Sequence, residues 1–367
     1  MKKNLLFMMV AAAIFAGCSN SEIVDEKEVD NNPIGYSDVP VEFGSASSVV
    51  VSRAVVDTWN HNKASVWGLE KNTSWSTAAG HLFAKTTPAT INIAPNGLVT
   101  FDGEGKKYYY PMSSSVNYSF YACHPANKAA TVSSTSITAN YTIDGKTDIM
   151  WAKTVATPTV EGGYDGYNAR YFRNGGAAPS LQFQHCLTRL DFKAIAGSIN
   201  NSGAGSSTVK PVAVKSIKIV GVPTSATLTV AGGGANEGKL STAGSGELFI
   251  YNGDTALGSI DGFNNLIQLG TELSPSSLGS VLFAATAATE YTIYITLVGV
   301  NVEGGKIVSV IDDSEQTSKV VIENVDALSA GTRYDVRLTI YPLQEVVFGT
   351  AGIKEWEKGP SYEVEVN

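Results

Sequence analysis

Apolar and polar positions alternate with a period of two along most of this chain. The longest such run is 181–194, LQFQHCLTRLDFKA, where Leu181, Phe183 and His185 share one side and Leu190 and Phe192 continue the alternation after Leu187. Tyr291, Ile293, Ile295 and Leu297 form a second run, and Tyr334, Val336 and Leu338 a third. Apolar placement at every second residue predicts half-buried strands. Shorter candidates bounded by turn residues recur at 64–69, 90–94, 98–101, 108–110, 117–124, 136–143 and 148–152. Others follow at 212–222, 226–230, 247–251, 266–269, 281–284, 290–299, 306–311, 319–322 and 332–340. No stretch shows a helical period with charged pairs four residues apart. Closely spaced strands without helices between them argue for antiparallel sandwiches rather than βαβ units.

The chain has 367 residues, more than one average domain, so two are expected. The Gly/Ala/Pro break at 175–179 sets the boundary. Residues 39–178 are then an N-terminal sandwich, with a first strand at 39–53. Residues 179–367 are a C-terminal sandwich opening on the 181–194 strand.

The N-terminus carries an export signal. Lys2 and Lys3 precede an apolar run, 5–15, that is too short to span a membrane. Phe15-Ala16-Gly17-Cys18 then resembles the lipobox of bacterial lipoproteins, in which the cysteine is lipidated and becomes the first residue; Phe15 departs from the usual leucine. Residues 1–17 are read as a lipoprotein signal peptide and Cys18 as the lipidation site. Residues 18–38 are acidic and interrupted by Pro33 and Gly35, and are read as a disordered tether.

Charge bears on partners. The net charge is −8 with both signs scattered, which argues against a nucleic-acid surface. Charged residues make up 16% of the chain, below the usual quarter, and Gly is abundant, as in an extracellular β protein rich in turns.

Catalytic and metal chemistry find little support. Cys123-His124 and His185-Cys186 are adjacent pairs whose side chains point to opposite faces of a strand. They lack the spacing of a zinc site, so core cysteines and hydrogen-bonded histidines are expected, with a Cys123–Cys186 disulfide as the alternative in an exported chain. There is no Gly-x-Ser-x-Gly elbow and no phosphate-binding loop. No enzyme activity, cofactor or metal is expected. Trp67 falls in a strand pattern and reads as core, whereas Trp59 and Trp75 fall in loops and could stack on a sugar. Asp254-Thr255-Ala256 resembles a short bacterial O-glycosylation site.

Several of these stretches together resemble one family. Tyr108-Tyr109-Tyr110-Pro111 followed by VNYSFYACHP, then Asp148-Ile149-Met150-Trp151-Ala152, then the Leu181-x-Phe183-x-His185-x-Leu187 strand, occur in the order seen in fimbrillins, the subunits of type V pili in Bacteroidota. Ile353-x-x-Trp356-x-x-Gly359 resembles the closing motif of that family. The resemblance implies two tandem transthyretin-like sandwiches. It implies cleavage between Arg53 and Ala54 by an Arg-specific protease, removing the first strand with the lipid anchor. It also implies a donor tail, 343–366, in which Val346, Phe348, Ile353, Trp356, Tyr362, Val364 and Val366 fill the groove of the next subunit. The implied partners are other copies or related pilins, the outer membrane before maturation, and a host or bacterial surface ligand. The alternative to a fimbrial subunit is a non-polymerising surface lipoprotein that binds glycan or a host ligand through loop aromatics. The bland reading of the tail is that it closes the chain's own second sandwich.

Overall fold

The computed structural model describes residues 36–44, 47–48, 62–71, 73–83, 87–112, 116–127, 129–154, 166–197, 211–253, 263, 265–323, 328–341, 353–355 and 364–366. These are almost wholly strand and turn, as the period-two pattern predicts.

One sheet runs in the order β2 (Ser47–Ser48), β11 (Gln182–His185), β10 (Met150–Thr154), β7 (Tyr118–His124), β3 (Asn62–Glu70), β4 (Ala89–Ile93) and β5 (Val99–Phe101). β1 (Tyr36–Pro40) pairs antiparallel with β6 (Tyr109–Pro111) as a separate ribbon. β7 is the most buried strand, with all seven residues covered. Its two faces serve different cores. Tyr118, Phe120 and Ala122 pack with Ala64, Val66, Met150 and Phe183 on one side. Tyr121 and Cys123 pack with Trp67, Leu69 and Ile149 on the other.

The second half of the chain forms a sandwich. One sheet holds β18 (Ser276–Phe283), β12 (Thr188–Ala196) and β22 (Arg333–Ile340), with β23 (Ile353–Glu355) and β24 (Val364–Val366) both against β22. The other runs β16 (Gly246–Asn252), β13 (Val212–Val222), β19 (Tyr291–Glu303) and β20 (Lys306–Val310), with β17 (Ile267–Gln268) on β13 and β21 (Gln316–Ile322) on β19. Leu190, Phe192, Val336 and Leu338 meet Ile217, Ile219, Ile293 and Ile295 in its interior. β12 and β22 are parallel, from Arg189 opposite Arg333 to Ala196 opposite Ile340. On their outer face Asp191 is only 6% exposed, yet it accepts from Arg189 Nε at 2.6 Å and pairs with Arg333, so its charge is satisfied.

A fourth sheet crosses the expected boundary at residue 179. It runs β15 (Leu240–Ala243), β14 (Ser225–Gly232), β9 (Ser136–Thr142) and β8 (Thr131–Val132). β9 lies before residue 179 and β14 after it, and they pair antiparallel from Ser225 opposite Thr142. The larger core likewise draws Trp67, Cys123 and Ile149 from one side of the boundary and Leu228, Phe283 and Leu338 from the other.

The run 181–194 is not one strand. β11 ends at His185 and β12 begins at Thr188, in a different sheet. Between them the Cys186 amide donates to Ile149 O at 2.8 Å, and Leu187 O accepts from Gly331 N at 2.8 Å. The alternation slips at Cys186–Leu187 because both side chains turn inward, each into the larger core. A short helix, α1 (Ala169–Arg173), is also absent from the sequence reading. Asn168 caps it by accepting from Tyr171 N at 2.8 Å. Five residues are too few to display a helical period.

Candidate assembly interface

The segment 36–48 crosses from one sheet edge to another. β1 lies on β6, with Tyr36 opposite Pro111 and Pro40 opposite Tyr109. The next residues leave the ribbon and enter the smaller core, where Val41 is 3% and Phe43 9% exposed. The Val41 amide donates to Tyr108 O at 2.7 Å, and the Gly44 amide to Pro179 O at 2.9 Å. β2 then runs parallel to β11, Ser47 opposite Gln182 and Ser48 opposite Phe183, and so closes that edge of the seven-stranded sheet.

Phe43 is the anchor. Its ring lies edge-on to Phe120, centroids 5.1 Å apart, and 5.9 Å from Phe101. Phe101 and Phe83 both pack edge-on against Tyr108, at 4.7 and 4.8 Å. Such edge-to-face contacts add about 0.5–1.5 kcal/mol each beyond simple burial. At the surface Asp38 pairs with Arg173 at 2.5 Å, and that hydrogen bond holds its carboxyl below the usual range.

The chain's end closes a second edge. β23 is antiparallel to β22, with Tyr334 opposite Glu355 and Val336 opposite Ile353. β24 is parallel to the rest of β22, with Leu338 opposite Val364 and Ile340 opposite Val366. On its other side β22 is bonded to β12, so these two short strands take the edge that would otherwise be open.

Of the donor tail, Ile353, Val364 and Val366 lie in described backbone, while Val346, Phe348, Trp356 and Tyr362 lie outside the described residues, as do Cys18, Arg53, Ala54, Trp59 and Asp254–Ala256. Trp67 is fully buried. Trp75 is only partly exposed: its Nε1 donates to Glu70 O at 2.9 Å and its ring lies 6.3 Å from that of Tyr121. It is a packed side chain rather than a free sugar platform. The aromatic lining around Phe43 was not singled out from the sequence. The density of Phe and Tyr in 101–121 is the signal that could have found it.

The Cys–His pairs are structural. Cys123 and Cys186 are free thiols, both buried, so the disulfide alternative does not hold. Burial pushes the Cys123 thiol up to about 12 and raises that of Cys186 as well. Both stay protonated and unreactive. His185 Nδ1 lies 2.6 Å from Asp148 Oδ2, and His124 Nδ1 lies 2.9 Å from Lys63 O. Among the described residues no group of three or more His, Cys, Asp or Glu side chains is placed to hold a metal.

Comparison with known proteins gives this arrangement a family. A family model described as fimbrillin-like matches residues 52–356, well over half of the chain. No curated protein matches the sequence. Among solved structures the chain is similar to a candidate cell adhesion protein from Bacteroides uniformis, at 16% identity and TM-score 0.48, covering 87% of this chain and 99% of that one. A candidate cell adhesion protein from Bacteroides ovatus is similar at 14% identity and TM-score 0.47, covering 90% of this chain and 98% of that one. The fimbrial anchor protein Mfa2 from Porphyromonas gingivalis is similar at 10% identity and TM-score 0.34, covering 89% and 98%. With motifs in order and the family match over most of its length, this chain belongs to the fimbrillin-like family.

Proposed function

We propose that this chain is a structural subunit of a cell-surface fimbria that supports adhesion and assembles by exchange of edge strands. One observation carries the reading: segments near both ends of the chain complete open sheet edges, and the first of them also plugs an aromatic groove with Phe43. An edge of unpaired amides and carbonyls beside an apolar slot is the surface that an added strand recognises. Each end segment is thus a local plug that a neighbour's segment could replace without new chemistry.

In this reading the chain is exported as a precursor lipidated on Cys18 and held at the outer membrane. Residues 39–53 occupy the groove and prevent early assembly. Cleavage between Arg53 and Ala54 releases them with the anchor. That opens the slot between Tyr108 and Pro179, lined by Phe101 and Phe120, together with the free edge of β11. The tail of another copy or of a related pilin, 343–366, then enters it, with Val346, Phe348, Ile353, Trp356, Tyr362, Val364 and Val366 setting register. The two tandem units on either side of residue 179 are read as transthyretin-like sandwiches, joined by the larger core.

The test is the mature N-terminus, measured by mass spectrometry on protein from the cell surface, for the parent and for Arg53→Ala. The expected parent begins at Ala54 and forms a ladder of multimers, while Arg53→Ala keeps lipidated Cys18 and stays monomeric. A variant that assembles like the parent overturns the maturation route. Deletion of 343–367 tests the donor and should leave a folded monomer that does not polymerise; loss of the second sandwich's fold would mean the tail belongs to that sandwich alone.

A further inference from the structure

The outer face of the six-stranded sheet carries a cross-strand row of alternating aromatic and cationic side chains. Lys218 on β13 stands opposite Phe249 on β16 and, on its other side, opposite Tyr294 on β19. Tyr294 in turn stands opposite Lys319 on β21. The row therefore reads Phe249, Lys218, Tyr294, Lys319 across four adjacent strands. Each member points away from the core, because its strand neighbours Leu248, Ile219, Ile293 and Val320 are buried. Phe249 is 37% exposed, Tyr294 is part-exposed and Lys319 is exposed. Lys218 sits with its ammonium 5.7 Å from the centre of the Phe249 ring and 2.6 Å from the Glu247 carboxylate.

Spacing and charge select a ligand. Paired strands lie about 4.8 Å apart, so the two rings are roughly 10 Å apart, as are the two lysines. That period matches a disaccharide laid across the strands. Aromatic rings offer flat apolar faces for sugar C–H surfaces, and lysines offer point charges for a carboxylate or sulfate. In a chain of net charge −8 a row presenting two lysines at this interval favours an anion with the same repeat. We propose that this face binds an acidic polysaccharide bearing one charge per disaccharide. Phe249 and Tyr294 stack on alternate sugars, and Lys218 and Lys319 meet the acidic groups. Glu247 competes for Lys218 and tempers the affinity. The site does not depend on the assembly route, since it lies on a different sheet from the edges closed by β2, β23 and β24.

The experiment is a calorimetric titration of the purified full-length chain with a hyaluronan hexasaccharide, with chitohexaose as a neutral probe and polyglutamate as a polyanion that is not a sugar. Saturable binding of the hyaluronan probe is expected, about tenfold tighter than chitohexaose, and it should weaken as salt is raised. Lys319→Ala and Tyr294→Leu should each weaken it about tenfold, while Glu247→Gln should strengthen it by freeing Lys218. Lys306→Ala, in the β19–β20 hairpin, should leave it unchanged. Lys319 is exposed, so Lys319→Ala keeps the fold and the test stands even where Tyr294→Leu does not. No saturable binding, equal binding of polyglutamate, or a Lys319→Ala variant that binds like the parent would each overturn the proposal.

Discussion

Trp151 rests directly on Gly238, and a methyl group on residue 238 would come within 2.7 Å of its indole ring. The same indole donates from Nε1 to Val230 O at 2.7 Å. Beside it Lys153 pairs with Glu237 at 2.5 Å and lies over the Tyr121 ring at 5.2 Å. β10 and the β14–β15 loop are therefore bolted together across residue 179. Gly238 also has φ of +75°, where a Cβ is strained. Gly238→Ala should cost about 2–4 kcal/mol, from backbone strain and overpacking together. Chemical denaturation followed by Trp fluorescence reads this; a cost below the strain alone would mean that the loop moves freely off Trp151.

Phe43 anchors the segment 36–48 in the smaller core. Truncating a buried Phe costs about 3–5 kcal/mol. Phe43→Ala should therefore lower the melting temperature of the uncleaved chain, bringing it toward that of a chain starting at Ala54, which lacks the residue. An unchanged melting temperature of the uncleaved Phe43→Ala chain would show that the segment 36–48 contributes little to holding the groove shut.

Acid should weaken the fold through buried histidines. Desolvation lowers the pKa of His124 from 6.5, against the raising effects of Lys63 O and Asp148, with His185 lowering it further. Desolvation likewise lowers that of His81, partly offset by its bond to Trp75 O at 2.7 Å. The unfolded chain thus takes up protons first as pH falls. The stability held by the neutral rings is full above about 6.5 and is lost as pH drops through the lowered folded values. Urea midpoints at pH 7.5 and 5.5 should fall in that order, and His124→Gln should reduce the difference. A flat profile would sink the assignment.

The pair Asp148 and His185 carries a different load. Their side chains are 0% and 3% exposed, and they sit where β10 and β11 meet. Asp148→Ala leaves a buried nitrogen of His185 without its hydrogen-bond partner and should cost about 1–3 kcal/mol. Thermal melts of Asp148→Ala and Asp148→Asn check this, with the amide expected to recover part of the loss by keeping a polar partner for the ring.

The free thiols give a kinetic readout. Cys123 and Cys186 should ignore a water-soluble thiol reagent in the folded protein and react at once in denaturant. Fast reaction of the native chain would mean that the joint between β11 and β12 opens readily.

Period-two placement is a local property, so the chain alone announced nearly every strand. β13 was read at its full extent, β3, β7 and β22 to within a residue or two, and β19 from one residue before its start. The seal of Trp67 in the core was also legible, because a Trp inside an alternating run has one face to go to. Partners were not legible. Pairing of β9 with β14 joins residues about ninety positions apart, and the parallel match of β12 with β22 spans still more of the chain; nothing in either strand's alternation names its neighbour. The break at Cys186–Leu187 was hidden for the same reason, since two inward side chains in succession make sense only once two sheets are in place. The aromatic slot around Phe43 and the row from Phe249 to Lys319 belong to this second class. Each is assembled from strands distant in sequence, and only hydrogen-bonded register brings its members side by side.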